Sequence, residues 1–179
     1  MFDLDFTIKN AWLLSFIFLL VSYLPIFFGG KGAKRLVDFS WMNKRGKRLS
    51  ILIMVLFIFM VVVPVFFEIT NKPELLILGF TFFTIGCIFI LISYLNYFTT
   101  PLGKLITKGM YRISRNPIYV FSSITLVGIA ILSESFLFGL LLLLYLMIQH
   151  PVIKEEERFC EENFGKEYQK YKKGTRQYL

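Results

Sequence analysis

Five apolar runs constrain this chain more than any other feature: roughly residues 11–28, 49–67, 75–98, 118–132 and 136–149. An α-helix rises about 1.5 Å per residue, and a bilayer core of about 30 Å takes roughly 20 residues. The first three runs are long enough to cross. The last two are shorter, separated only by Ser133, Glu134 and Ser135, and predict a tight helical hairpin whose second arm continues towards Lys154. Pro25 and Pro64 fall near the ends of the first two runs, where proline kinks or stops a helix. The expected fold is all-α: a polytopic membrane protein of about five transmembrane helices, the last two a hairpin, with a cytoplasmic C-terminal amphipathic helix.

Composition narrows the class. Of the 179 residues 56% are hydrophobic and only 18% charged, and mean hydropathy is +0.64. Soluble domains carry about 25% charge. A disordered chain, a disulfide-rich secreted module and most soluble enzymes of this size are excluded. Cys87 lies in an apolar run and Cys160 in a charged tail, so neither a disulfide nor a metal spacing is expected. A single histidine, His150, cannot build a metal site alone. Asp3 and Asp5 stand where a signal peptide would have a basic stretch, so none is indicated.

The net charge of +8 follows the apolar runs. With five crossings, the segments 29–48, 99–117 and 150–179 share one side and hold 18 of the 20 Lys and Arg. Only Lys9 and Lys72 face the other way. The positive-inside rule then puts the N-terminus outside and the C-terminus in the cytoplasm. Topology explains most of the charge, so nucleic acid is not an expected partner.

Chemistry concentrates after residue 95. The chain divides into an N-terminal anchor, 1–95, and a C-terminal region, 96–179, that starts with Asn96 and a turn-rich exit from the third run. Pro117 suits a first helical turn and Asn116 the N-cap before it. Tyr111, Arg115 and Tyr119 sit at the cytoplasmic edge, where they are either interfacial anchors or a ligand site at a helix start. In the tail, Glu155, Glu156 and Glu157 precede Phe159, Phe164, Tyr168 and Tyr171, with Gly165 interrupting. An amphipathic surface helix accounts for the aromatics. Three consecutive carboxylates fit it poorly, which points to at least one serving a cation, either an Arg or a ligand. His150 reads as a satisfied residue at a helix end, favoured there by the helix dipole.

The stretches Gly109-Met110-Tyr111, Ser114-Arg115-Asn116-Pro117-Ile118-Tyr119, Glu156-Glu157 and Phe164-Gly165-Lys166-Glu167-Tyr168-Gln169-Lys170-Tyr171 occur together and in order. In them the sequence resembles the isoprenylcysteine carboxyl methyltransferase and phospholipid methyltransferase group of integral membrane enzymes, over about residues 96–176. The resemblance implies an S-adenosylmethionine-dependent methyltransferase with a cytoplasmic-facing cofactor pocket and a lipid or lipid-linked acceptor that arrives from the bilayer. It implies cofactor-binding roles for Asn96, Leu105, Ile106, Tyr111, Asn116, Pro117, Ile118, Tyr119 and Glu156. Arg115 and Glu156 are the expected catalytic residues. Asn116 stands where many isoprenylcysteine enzymes have His, and Val152 where they have an Arg near substrate. His150 or Lys154 are the neighbouring replacements. Methylation of a small thiol or amine, and a non-catalytic membrane scaffold, are the alternatives.

Overall fold

The computed structural model describes residues 10–179, apart from the side chains of Lys34 and Val37. Asp3, Asp5, Lys9 and the Lys34 side chain, all part of the charge argument, lie outside this description. Among the described residues the helices are α1 (Trp12–Phe28), α2 (Gly30–Val37), α3 (Lys44–Val62), α4 (Pro73–Phe98), α5 (Pro117–Ser133) and α6 (Phe136–Gly174). Short 3-10 turns cover Val63–Phe66 and Gly109–Arg112. No strand occurs among the described residues.

Local chemistry sets the helix starts. The Asn43 side chain accepts from Gly46 N at 2.7 Å to cap α3, and Ser135 accepts from Phe138 N at 3.2 Å to cap α6. Pro73 and Pro117 open α4 and α5, where the missing N–H has no partner to lose. Asn116 takes the expected N-cap position of α5, but its side chain makes no cap hydrogen bond. A buried carboxylate draws it away instead.

Three helical stretches are long and apolar enough to cross a membrane: Lys44–Phe66, Pro73–Phe98 and Phe136–Gly174. The first run, expected to span, forms a 17-residue helix of about 26 Å, and α5 has the same length. The fifth run, read as short, belongs to a 39-residue helix. No more than 33% of the most apolar window of any long helix is buried, and Ile77 and Met147 are 71% and 73% exposed. An apolar exterior of this extent needs lipid around it.

The turn between α5 and α6 is as tight as expected, with Glu134 in the left-handed region at φ 45°. The packing is different from a simple hairpin. α5 lies along α4, and α6 packs chiefly on α3. Small residues explain the α4–α5 contact: a Cβ on Gly86 would strike Thr125, and one on Gly128 would lie 2.6 Å from Phe83 N. The helices therefore approach backbone to backbone, with Phe83, Ile90, Leu126 and Ile129 buried around the contact.

All the basic segments meet at one end of the bundle. There Trp41 stacks on Phe159 with ring centroids 4.4 Å apart, and Asn43 Nδ2 donates to Glu155. At the opposite end Ala11 N donates to Phe67 O and Thr70 N to Leu132 O. The apolar part of α6, residues 136–153, continues through Pro151 into a charged half. One break interrupts it: Gly165 has φ 47° and ψ −121°, a conformation cheap only for glycine. The expected separate amphipathic helix is thus the distal part of α6, and it folds back onto the 109–116 loop. His150 lies well inside α6, so the expected helix-end dipole does not act on it. Its Nδ1 instead shares a hydrogen bond of 2.6 Å with the Tyr178 hydroxyl.

Candidate active site at the basic end

Glu156 and Glu157 are adjacent on α6 and so point about 100° apart. That offset gives them different work. The Tyr119 hydroxyl, from the first turn of α5, donates to Glu156 Oε1 at 2.5 Å. Tyr111, buried in the loop turn, and Tyr97, from the last turn of α4, lie within the electrostatic reach of the same carboxylate. Among the described residues no Lys or Arg pairs with Glu156. Burial pushes its carboxyl up to about 7, against the downward pull of the Tyr119 hydrogen bond. The Tyr111 phenol is pushed well above its ordinary range, mainly by burial, and stays a neutral donor at physiological pH. Burial also pushes the Cys160 thiol up to about 12, with Glu156 and Glu157 adding to the effect. The thiol is held in its neutral form.

Glu157 is committed to the protein itself. Its Oε1 accepts from Arg115 Nε at 2.8 Å and from Asn116 Nδ2 at 3.2 Å. The ion pair is buried, with side chains 9% and 5% exposed. Arg115 also donates to the carbonyls of Thr175 at 2.5 Å and Lys172 at 3.3 Å, while its backbone N–H reaches Arg176 O at 2.9 Å. Asn116 Nδ2 and the Ser114 hydroxyl both donate to Gln177 O. The Tyr171 hydroxyl donates to Tyr111 O at 2.5 Å. The loop before α5 and the tail beyond Gly165 are thereby tied into one layer next to Glu156.

Asn96 positions that loop. Its Oδ1 accepts from Met110 N at 2.8 Å. Gly109 has φ 56° and sits so close that a Cβ would collide with the Asn96 amide. Pro117 is buried at the start of α5, and Ile118 packs against the core. Leu105 and Ile106 are half-buried in the irregular stretch before Gly109 and join none of the polar contacts above. Geometry therefore brings Tyr111, Tyr119 and Glu156 to one point, and Arg115 and Asn116 to a neighbouring one. Val152 is buried at 2% exposure, Lys154 is exposed, and His150 faces Tyr178.

Several residues at this end escape sequence reasoning. Tyr94, Tyr97 and Tyr145 look like members of an apolar run or an interfacial belt, yet Tyr94 and Tyr145 are buried beside Tyr119. Arg35, one basic residue among many in its segment, caps the end of α4. Its Nη2 donates to Tyr97 O and Thr100 O, each at 2.8 Å. The only available signal was residue type: phenols and a guanidinium near a membrane edge.

A family model described as phospholipid methyltransferase matches residues 74–167, just over half of the chain. The matched region opens with α4 and closes two residues after the Gly165 break. No curated protein and no solved structure matches the chain.

Proposed function

Since this chain belongs to the phospholipid methyltransferase family, we propose that it is an integral membrane enzyme that methylates a lipid or lipid-linked acceptor with S-adenosylmethionine. Family membership and the outward-facing apolar helices support a methyltransferase embedded in lipid. The proposal adds five crossings, with the basic end and its site in the cytoplasm. Residues 96–179 would carry the site, and the preceding helices would anchor it and support its floor.

One observation carries the cofactor assignment: a half-buried carboxylate, Glu156, with phenols around it and, among the described residues, no Lys or Arg paired with it. The donor has a sulfonium and an ammonium group, and both are matched by this setting. Aromatic faces attract cations, and a carboxylate in a low-dielectric pocket pairs with an ammonium strongly. The residues fit the group. When bound, S-adenosylmethionine supplies an already activated methyl for in-line displacement.

The rest is the work of the chain. Glu156, held by Tyr119, fixes the cationic end of the donor. Tyr111 and Tyr97 close the aromatic wall. Arg115, Asn116 and Glu157 act one layer out: they lock the tail over the loop and keep water from the site. Leu105, Ile106, Pro117 and Ile118 would line the apolar side, and Asn96 sets the loop height through Met110. No paired nucleophile and base is present at this point, and transfer from a sulfonium to an amine, thiolate or carboxylate rests mainly on orientation.

Radiolabelled methyl transfer into a total membrane lipid extract, followed by separation of products, tests the reading. Label in the lipid fraction is the expected result. Label in a water-soluble thiol or amine would replace the acceptor class. Failure of the purified protein to bind the donor would reduce the fold to a scaffold.

A further inference from the structure

Arg35 lies in α2, outside the region matched by the family model, and its environment is unusual for a structural arginine. Its Nη2 is fully used by the carbonyls of Tyr97 and Thr100. Its guanidinium lies over the Tyr97 ring, 4.8 Å from the centroid. Its Nε–H is buried and has no acceptor. Among the described residues no carboxylate neutralises it. The side chain is half-buried, so a desolvated and oriented cation is left one charge short.

The position is built, not incidental. α2 sits against the last turn of α4: a Cβ on Gly32 would lie 2.8 Å from Phe98 O, and one on Gly29 would lie 2.9 Å from the Phe98 ring. Such close approach fixes where Arg35 can reach. Tyr97, which it stacks on, is 6.4 Å from the Tyr111 ring and within the field of Glu156. The cation therefore borders the candidate site through the Tyr97 ring.

We infer that Arg35 is an anion-binding residue of this site and that its ligand is an oxyanion of the reactants, either the phosphate of the acceptor lipid or the carboxylate of the donor. A planar guanidinium pinned by two carbonyls and a ring loses little freedom when it takes an oxyanion. The anionic oxygen would complete the charge that the protein leaves open. Glu156 and Arg35 would then read opposite charges on either side of the tyrosine wall. This inference rests on the proposed function for the identity of the two reactants, but a binding measurement tests it independently of turnover.

Full-length protein in nanodiscs of neutral lipid is titrated with three probes: S-adenosylmethionine, a short-chain phospholipid, and the matching phosphate-free diacylglycerol. Arg35→Gln is expected to weaken one of the two oxyanion-bearing probes by about tenfold or more, the loss of one charged hydrogen-bonded contact. Weakening of the phospholipid alone assigns the phosphate, and weakening of the donor alone assigns the carboxylate. Arg35→Lys is expected to recover part of the loss, because it keeps the charge without the fork. If Arg35→Gln does not fold, Arg35→Lys is expected to show the same selective loss at smaller size. Unchanged affinity for both oxyanion-bearing probes overturns the inference, and so does an equal loss for the diacylglycerol. Wild-type protein that binds the phospholipid but not the donor would sink the proposed function and leave Arg35 as a phosphate site.

Discussion

The two ends of the α4–α5 pair carry the same device in opposite settings. Away from the candidate site, Lys72 Nζ meets Glu134 at 2.5 Å and the Thr70 hydroxyl donates to the other carboxylate oxygen. Those charged side chains are 64% and 39% exposed. At the basic end Arg115 meets Glu157 at 2.8 Å in almost complete burial. Water competes with the first pair and salt screens it, so it does little more than tidy a turn. Both members of the second have lost their hydration, and each is costly without the other. One end of the protein can tolerate a lost charge. The other cannot.

That contrast can be broken most sharply at Arg115. Arg115→Ala leaves Glu157 buried and unpaired, and should cost about 3–5 kcal/mol. Thermal unfolding in detergent would show a large drop, and protease would reach the released tail. A wild-type melting temperature would mean that the pair is solvated in practice. Next in size is Gly109→Ala, which forces a side chain into positive φ and into Asn96. A loss of about 1–3 kcal/mol is expected, against almost no change for Gly139→Ala, where the added Cβ meets nothing.

Glu156 gives a smaller, pH-dependent effect. Because burial raises its folded pKa to about 7, the carboxyl holds a proton that the unfolded chain has already released. Its contribution to stability is therefore present below the ordinary carboxylate range and is lost as pH rises through about 7. A cationic ligand prefers the ionised form, so donor affinity should rise over the same interval, by about tenfold between pH 6 and 8. Calorimetric titration with Glu156→Gln as control would test this; a pH-independent wild type would refute it. The smallest effect belongs to Glu134→Gln. Its hydrogen bonds from Lys72 and Thr70 hold the carboxyl below its usual range, so any stabilisation lies above that range and fades as pH falls through the depressed value. Solvent screening of this exposed pair makes the expected change in melting temperature negligible.

Apolar periodicity and helix punctuation made the bundle legible. Pro117 marks the start of α5 as expected, and the basic segments converge at one end as their distribution predicts. The full length of α6 was hidden: the sequence pattern carries the second arm of the hairpin only towards Lys154, whereas the helix continues to a break at Gly165 and resumes beyond it. Within the site, adjacent glutamates cannot be assigned by composition: a rotation of about 100° sends one to Tyr119 and the other to Arg115. Arg35 was masked by its own neighbourhood. In a basic segment every cation has the same topological explanation, and only geometry separates the one that stacks on Tyr97. The same contact brings α2, from the N-terminal part of the chain, against the end of α4.

The bridge between Ser114 and Arg176 has a consequence for how the protein is made. Those two residues are separated by both α5 and the whole of α6, so their contact must wait until two further helices have been made. Long-range closures of this kind form late. A copy with one helix misplaced could stay in the bilayer, resist extraction and keep its α4–α5 core. It would still lack the layer that lies next to Glu156. Assembly of the layer over the site is thus a check on insertion, and membrane residence alone is a poor measure of correctly built protein.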